Sequence, residues 1–139
     1  MRLTVDANVI VAAVAGRSRS LLDAAISASS GVVIPVAQAR EVRKVLVDKI
    51  GMSAELVENV LSELFAEIAV VADTVVQRDE GRARSRLQKR GQPDWPVLAA
   101  ALSLDTVIWS NDRDFFGVGV PVWSTRTMPF AIEEANAEA

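Results

Sequence analysis

Four short apolar runs, Leu3–Val5, Val32–Ile34, Ile68–Val71 and Thr106–Trp109, are set apart by longer segments whose apolar residues recur at helical spacing. Runs of this length between turn signals read as buried strands, and the intervening stripes read as helices. Strands separated by helices can pair only through crossovers, which yields a mostly parallel sheet with helices on both faces. The expectation is therefore an α/β domain in three layers, α/β/α. With 139 residues, half of them hydrophobic, residues 1–139 are expected to form a single domain with a full-sized core.

The local signals give the order β-α-α-β-α-α-β-α-α-β-β with a helical tail. Ala7–Ala15 is apolar and helix-compatible, and Gly16 breaks it. Ser18 or Ser20 then caps a helix carrying Leu21, Leu22, Ala25 and Ile26. A third helix begins at Val36, places Ala39, Val42, Val45, Leu46 and Ile50 on one stripe, and stops at Gly51. Ser53 opens a fourth, with Leu56, Val57, Val60, Leu61, Leu64 and Phe65 on its apolar side. Asp79–Lys89 is helical in pattern but polar nearly all round. Pro93-Asp94-Trp95-Pro96 starts a strongly apolar helix, with Asp94 as its expected N-cap. Val120–Trp123 contains a proline and reads as an edge strand.

Composition narrows the chemistry. Histidine, cysteine and tyrosine are all absent. Serine–histidine and cysteine–histidine nucleophilic arrangements are thereby excluded, as is histidine acid–base catalysis. A zinc site of the usual nitrogen and sulfur type is excluded as well. Carboxylates, lysines, arginines, hydroxyls and a bound metal remain. No apolar run approaches the length of a membrane-spanning helix. The start turns acidic at Asp6, too early for a signal peptide, and a cytoplasmic setting is expected.

The acidic residues are placed unevenly. Asp6 ends the first strand, Glu41 lies on the helix after the second, Asp94 begins the helix before the fourth, and Asp112 and Asp114 follow the fourth. In a parallel sheet these positions open on one edge, the usual place for a ligand site. At an effective dielectric of about 20 and a spacing of about 5 Å, each ionised pair there costs roughly 3 kcal/mol. A hard divalent cation held by carboxylate oxygens resolves that repulsion. An ordinary role explains each acid alone: caps for Asp6 and Asp94, a surface ion pair for Glu41 among Arg40, Arg43 and Lys44, turn chemistry for Asp112 and Asp114. It does not explain their gathering at equivalent ends of different elements. Net charge is −3, yet basic residues are dense between Arg78 and Arg90, as suits an anionic polymer near an acidic pit. Of that run, Arg82, Arg84, Arg86, Lys89 and Arg90, just ahead of Asp94, are the candidates for gripping it.

Val5-Asp6-Ala7-Asn8-Val9-Ile10, Glu41-Val42, Asp94-Trp95-Pro96-Val97-Leu98-Ala99-Ala100-Ala101-Leu102 and Trp109-Ser110-Asn111-Asp112-Arg113-Asp114-Phe115 together resemble the PIN domains, metal-dependent nucleases that include VapC-type toxins of toxin–antitoxin pairs. The short motifs are individually weak, but their order and spacing match over essentially the whole chain. The resemblance implies strand order 3-2-1-4-5 and cleavage of single-stranded RNA dependent on one or two Mg²⁺ or Mn²⁺ ions. It makes Asp6, Glu41, Asp94 and Asp112 the acidic metal-binding quartet, with Asp114 a further acid. Asn8 and Ser110 take polar positions that support the quartet through hydrogen bonds. The family often has Ser or Thr where this chain has Asn8, and Trp95 is bulky beside an implied ligand. The implied partners are RNA, a small antitoxin if the chain is a toxin, and a second copy in a homodimer; no membrane is implied.

Other classes fit less well. A phosphoacceptor domain needs a lysine reaching from a later strand end, and none follows Lys89. A dinucleotide-binding domain needs a G-x-G-x-x-G turn that the first strand lacks. The alternative of another class is a PIN-like module that binds RNA or protein without catalysis, since fold does not establish activity. Trp123, Met128 and Phe130 near the end of the chain serve as interface or as core.

Overall fold

A computed structural model describes residues 1–139. Five strands, β1 (Arg2–Val5), β2 (Gly31–Pro35), β3 (Ala69–Val71), β4 (Val107–Trp109) and β5 (Val122–Trp123), form one sheet in the order β3-β2-β1-β4-β5. All four pairings are parallel. The sheet thus has the expected order and is parallel throughout. β1 lies at its centre, and the chain reverses its direction of travel across the sheet between β1 and β4. That switch point is where open α/β sheets leave a crevice.

Helices cover both faces. On one, α1 (Ala7–Ala15), α2 (Arg19–Ala28), α3 (Val36–Lys44), α4 (Ala54–Leu64) and α8 (Met128–Glu138) enclose a core of 20 buried residues, including Leu3, Ile10, Leu22, Ile34, Leu61 and Trp109. On the other, α5 (Asp73–Val76), α6 (Glu80–Arg86) and α7 (Trp95–Leu104) contribute to a smaller core of 12. α7 is buried continuously from Pro96 to Ala101 because it is sandwiched between the sheet and the outer helices. Its alanines allow that close approach. Met128 belongs to the larger core, Trp123 packs at its edge, and Phe130 is exposed. No helix is long and apolar enough to cross a membrane.

Several elements differ from the sequence expectation. The helix from Val36 does not run unchanged to Gly51. It loosens into a π-turn over Val45–Lys49, in which the Ile50 N–H bonds the Val45 carbonyl at 3.0 Å. Gly51 then turns the chain at φ +84°, a region only glycine adopts freely. Ser53 caps α4 by accepting from the Leu56 N–H at 3.1 Å. The buried stripe of α4 narrows to Val57, Leu61 and Leu64, the i, i+4, i+7 positions, and leaves Leu56 in solvent. The polar segment is shorter than Asp79–Lys89: α5 and a 3₁₀ turn precede α6, which ends at Arg86. Ala83 is its buried contact, and Leu87 just beyond is buried too.

Candidate active site

The register of the central strands sets the site. Val5 of β1 pairs with Trp109 of β4, so Asp6 and Ser110 leave the sheet side by side. The Asp6 N–H still bonds the Trp109 carbonyl at 3.1 Å, and the Ser110 hydroxyl donates to Asp6 Oδ2 at 2.6 Å. Asp6 Oδ1 accepts from the Asn8 N–H at 3.4 Å, which makes Asp6 also the N-cap of α1. Capping and pit-lining are therefore one role. The side chain of Asn8 is exposed, so this residue supports Asp6 through its backbone alone. Ser110 does more. Its oxygen also accepts from the Asp112 N–H at 3.0 Å and so joins the first acid to the fourth.

Asp94 stands at the N-cap position of α7 but makes no capping hydrogen bond, contrary to the sequence expectation. Proline at the second helical position removes one of the two N–H groups a cap would bind. Asp94 is left without a donor and shares a tight group with Asp112 and Asp114, whose candidate ligand oxygens all lie within 4.8 Å of one another. Burial, then a hydrogen bond with the Asp112 carboxylate that only a protonated carboxyl can make, then the charges of Asp6, Asp112 and Asp114, push the Asp94 carboxyl up to about 7. Burial also raises Asp6, against the lowering effect of its Ser110 and Asn8 hydrogen bonds.

A cavity of about 340 Å³ opens on this edge, lined by Asp6, Asn8, Gln38, Glu41 and Asp94 among others. Glu41 lines it from α3 and is exposed, outside the tight Asp94–Asp112–Asp114 group. Asp94 belongs to two groups: it lines the cavity with Asp6 and Glu41, and its carboxylate lies with those of Asp112 and Asp114, which are not part of the cavity lining. Asp114, implied only as a further acid, belongs to the tightest set.

Three contributors escaped the sequence reading. Gln38, one helical turn before Glu41, is buried, and its Oε1 accepts from the Ala7 N–H at 3.0 Å, which satisfies the first orphan donor of α1. A polar residue at i−3 from a candidate ligand was the available signal. Gly91 lies against Asp114: a Cβ there would come within 2.9 Å of the Asp114 Cβ. Arg113, between two acids, lines a second cavity beside Asp114.

The basic candidates divide. Arg82 pairs with Asp79 at 2.9 Å and Arg84 with Glu80 at 2.8 Å, both within α6 and its lead-in. Arg84 also lies 5.1 Å from the centre of the Trp95 ring, so one face of that indole is taken by a cation. Arg86 donates to the Val118 carbonyl at 3.1 Å, Arg90 reaches Asp114 at 3.0 Å, and Lys89 is exposed.

The PIN domain family model matches residues 4–133. No curated protein matches the chain. Solved structures do. DNA-bound VapBC from Salmonella typhimurium is 17% identical with a TM-score of 0.72, over 90% of this chain and 98% of that one. A toxin–antitoxin complex from Klebsiella pneumoniae is 18% identical with a TM-score of 0.67, over 88% and 97%. VapBC2 from Rickettsia felis, bound to a promoter DNA fragment, is 12% identical with a TM-score of 0.68, over 89% and 98%. At these identities the likeness is one of fold.

Proposed function

The chain belongs to the PIN domain family, and on that premise we propose that it is an endoribonuclease that uses Mg²⁺ or Mn²⁺ to cleave single-stranded RNA. The observation that carries the proposal is the donor-free carboxyl of Asp94, raised to about 7 among Asp6, Asp112 and Asp114. Such a group is short of positive charge, and the surrounding donors are carboxylate oxygens, the set that hard divalent cations prefer. The residues present therefore fit one or two such ions. Asp94, Asp112 and Asp114 would hold the first, with Asp6 joined to them through Ser110, and Asp114 would help hold a second.

A divalent cation held there would supply charge neutralisation for the phosphodiester and for the developing charge of hydrolysis. The protein's own part is positioning. Ser110 fixes Asp6 and the Asp112 backbone in one frame, Gln38 fixes the start of α1, and Glu41, at the cavity's exposed rim, would accept a hydrogen bond from the attacking water and orient it. In-line attack by water leaves 5′-phosphate and 3′-hydroxyl ends; attack by the RNA 2′-hydroxyl would leave a cyclic phosphate.

The family resemblance and the toxin–antitoxin complex among the structural neighbours support the further reading that this is a toxin held by a small antitoxin. Cleavage of labelled single-stranded RNA with Mg²⁺ or Mn²⁺, with and without EDTA and beside Asp6→Asn, tests the enzyme reading. Metal-dependent cleavage, absent in the variant and leaving 5′-phosphate ends, is the expected result. No cleavage across varied RNAs, with no metal-induced rise in melting temperature, would leave a non-catalytic binding module instead.

A further inference from the structure

Beside the acidic group lies a second cavity of about 220 Å³, lined by Arg86, Arg90, Arg113, Asp114, Phe116 and Gly117 among others. We propose that it binds the phosphate of the nucleotide next to the scissile one, with that nucleotide's base stacked on Phe116. The proposal rests on the nuclease reading, since it supplies the substrate grip for that site.

Three guanidiniums face this cavity against a single carboxylate, and that carboxylate is already matched by Arg90 at 3.0 Å. Arg86 is held in place by the Val118 carbonyl at 3.1 Å, which uses one N–H and leaves the rest of its fork available. Arg113 has no acidic partner anywhere in the protein. Planar guanidiniums on a concave surface match the oxygens of a phosphate, and such contacts set the register of a nucleic-acid strand. Phe116, on the rim, is 64% exposed, an aromatic face that packs against nothing in the core. Every base offers a π-face to such a ring, so stacking there demands no particular sequence. Gly117 follows at φ +78° and lets the loop turn just beyond the ring.

Asp114 belongs to both sites, so an anion in the arginine pocket is a near neighbour of one at the acids. A single strand crossing the edge would thus present consecutive phosphates to the two. Arg82 and Arg84, each paired with an acid three or four residues before it, do not line this pocket.

Binding of a labelled single-stranded RNA of about ten nucleotides, followed by fluorescence anisotropy in EDTA across a salt series, tests this. Arg113→Glu is expected to weaken binding about tenfold or more and to make the salt slope shallower by about 0.7, one phosphate contact on a single strand. Arg113→Lys keeps the slope. Phe116→Ala weakens binding roughly five- to tenfold with the slope unchanged. Unchanged affinity and slope in Arg113→Glu, with the fold verified by circular dichroism, would overturn the proposal. Inorganic phosphate is expected to compete only at far higher concentration than unlabelled RNA; equal competition would make the pocket a site for free anions and overturn the nucleic-acid assignment. In the cleavage assay, Arg113→Glu should raise KM and leave kcat near that of the wild type. Wild-type cleavage with KM unchanged in Arg113→Glu would remove the pocket and keep the nuclease. RNA bound through the pocket but never cut with metal would do the reverse.

Discussion

Asp6 is buried and both of its carboxylate oxygens have donors, from the Ser110 hydroxyl and the Asn8 N–H. Asp94, which lines the same cavity, is half-buried, has no donor, and lies among like charges. Both residues begin helices, where partial positive charge favours a carboxylate. The protein matches the first acid from within and leaves the second unmatched. A buried charge with hydrogen bonds is structure, whereas one without them is a demand for something from outside. The same difference appears among the cations. Arg82 and Arg84 are paired with near neighbours in sequence, while Arg113 has no acidic partner.

The contrast is broken most decisively by removing each acid in turn. Asp6→Ala and Asp94→Ala should each reduce RNA cleavage by roughly a thousandfold, as expected for loss of fixed charge at the reacting group. Their effects on stability should have opposite signs. Asp6→Ala strips partners from Ser110 and the start of α1 and should cost about 1–3 kcal/mol. At pH 7.5 Asp94 has mostly lost the proton that its hydrogen bond with Asp112 requires, so Asp94→Ala relieves repulsion and the metal-free protein should melt higher there. Thermal melts in EDTA check this, and equal destabilisation by both would end the distinction. Metal addition is the next largest effect. At a concentration a hundredfold above Kd, Mg²⁺ or Mn²⁺ should stabilise the wild type by about 2.7 kcal/mol and leave Asp94→Ala unmoved.

A smaller effect follows from the raised carboxyl. A folded-state pKa near 7 for Asp94, against an ordinary value near 4, means that the native state holds a proton the unfolded chain has released between those limits. Stability without metal should therefore fall as pH rises from about 4 to about 7 and level off above, with burial of Asp6 acting in the same direction. Melting curves in EDTA across that range should show the decline in the wild type and a weaker one in Asp94→Ala. Saturating metal should flatten or reverse it, because the ligands bind metal only when deprotonated.

The sheet order and the acidic edge were legible in the sequence because each depends on a repeating local signal: short apolar runs, a period of 3.6, an acid one residue past a strand. The partition of roles within the edge was less so. That Asp114 joins Asp94 more closely than Glu41 does depends on a 3₁₀ turn over Arg113–Phe115, which no periodicity announces. The split in the basic run was partly readable, since Glu80 precedes Arg84 by one helical turn and Asp79 precedes Arg82 by three residues. Gln38 and Gly91 were invisible because their contacts lie 31 and 23 positions away, at Ala7 and Asp114.

Gly91 offers the finest test of the comparison, because it acts on the group of the unmatched acid, through Asp114, without altering any charge. A methyl group there would meet the Asp114 Cβ at 2.9 Å, closer than van der Waals contact permits. That carbon sits next to the backbone of the 3₁₀ turn, and the Asp114 N–H is tied to Asp112 Oδ1 at 2.9 Å, so it cannot swing clear as the tip of a long side chain would. Gly91→Ala should therefore displace Asp114 as a unit with its turn, at a cost of about 1 kcal/mol, the low end for overpacking in a buried site. Metal should then stabilise the variant less than the wild type at equal concentration, and cleavage should fall severalfold. The turn is tied to the Ser110–Asp6 pair through the Asp112 N–H, which donates to the Ser110 hydroxyl oxygen at 3.0 Å, so Gly91→Ala and Asp6→Ala should show a coupling energy in a double-mutant cycle of stability. Strict additivity in that cycle would mean that the displacement of Asp114 stops short of Asp112 and that the two acids are held independently.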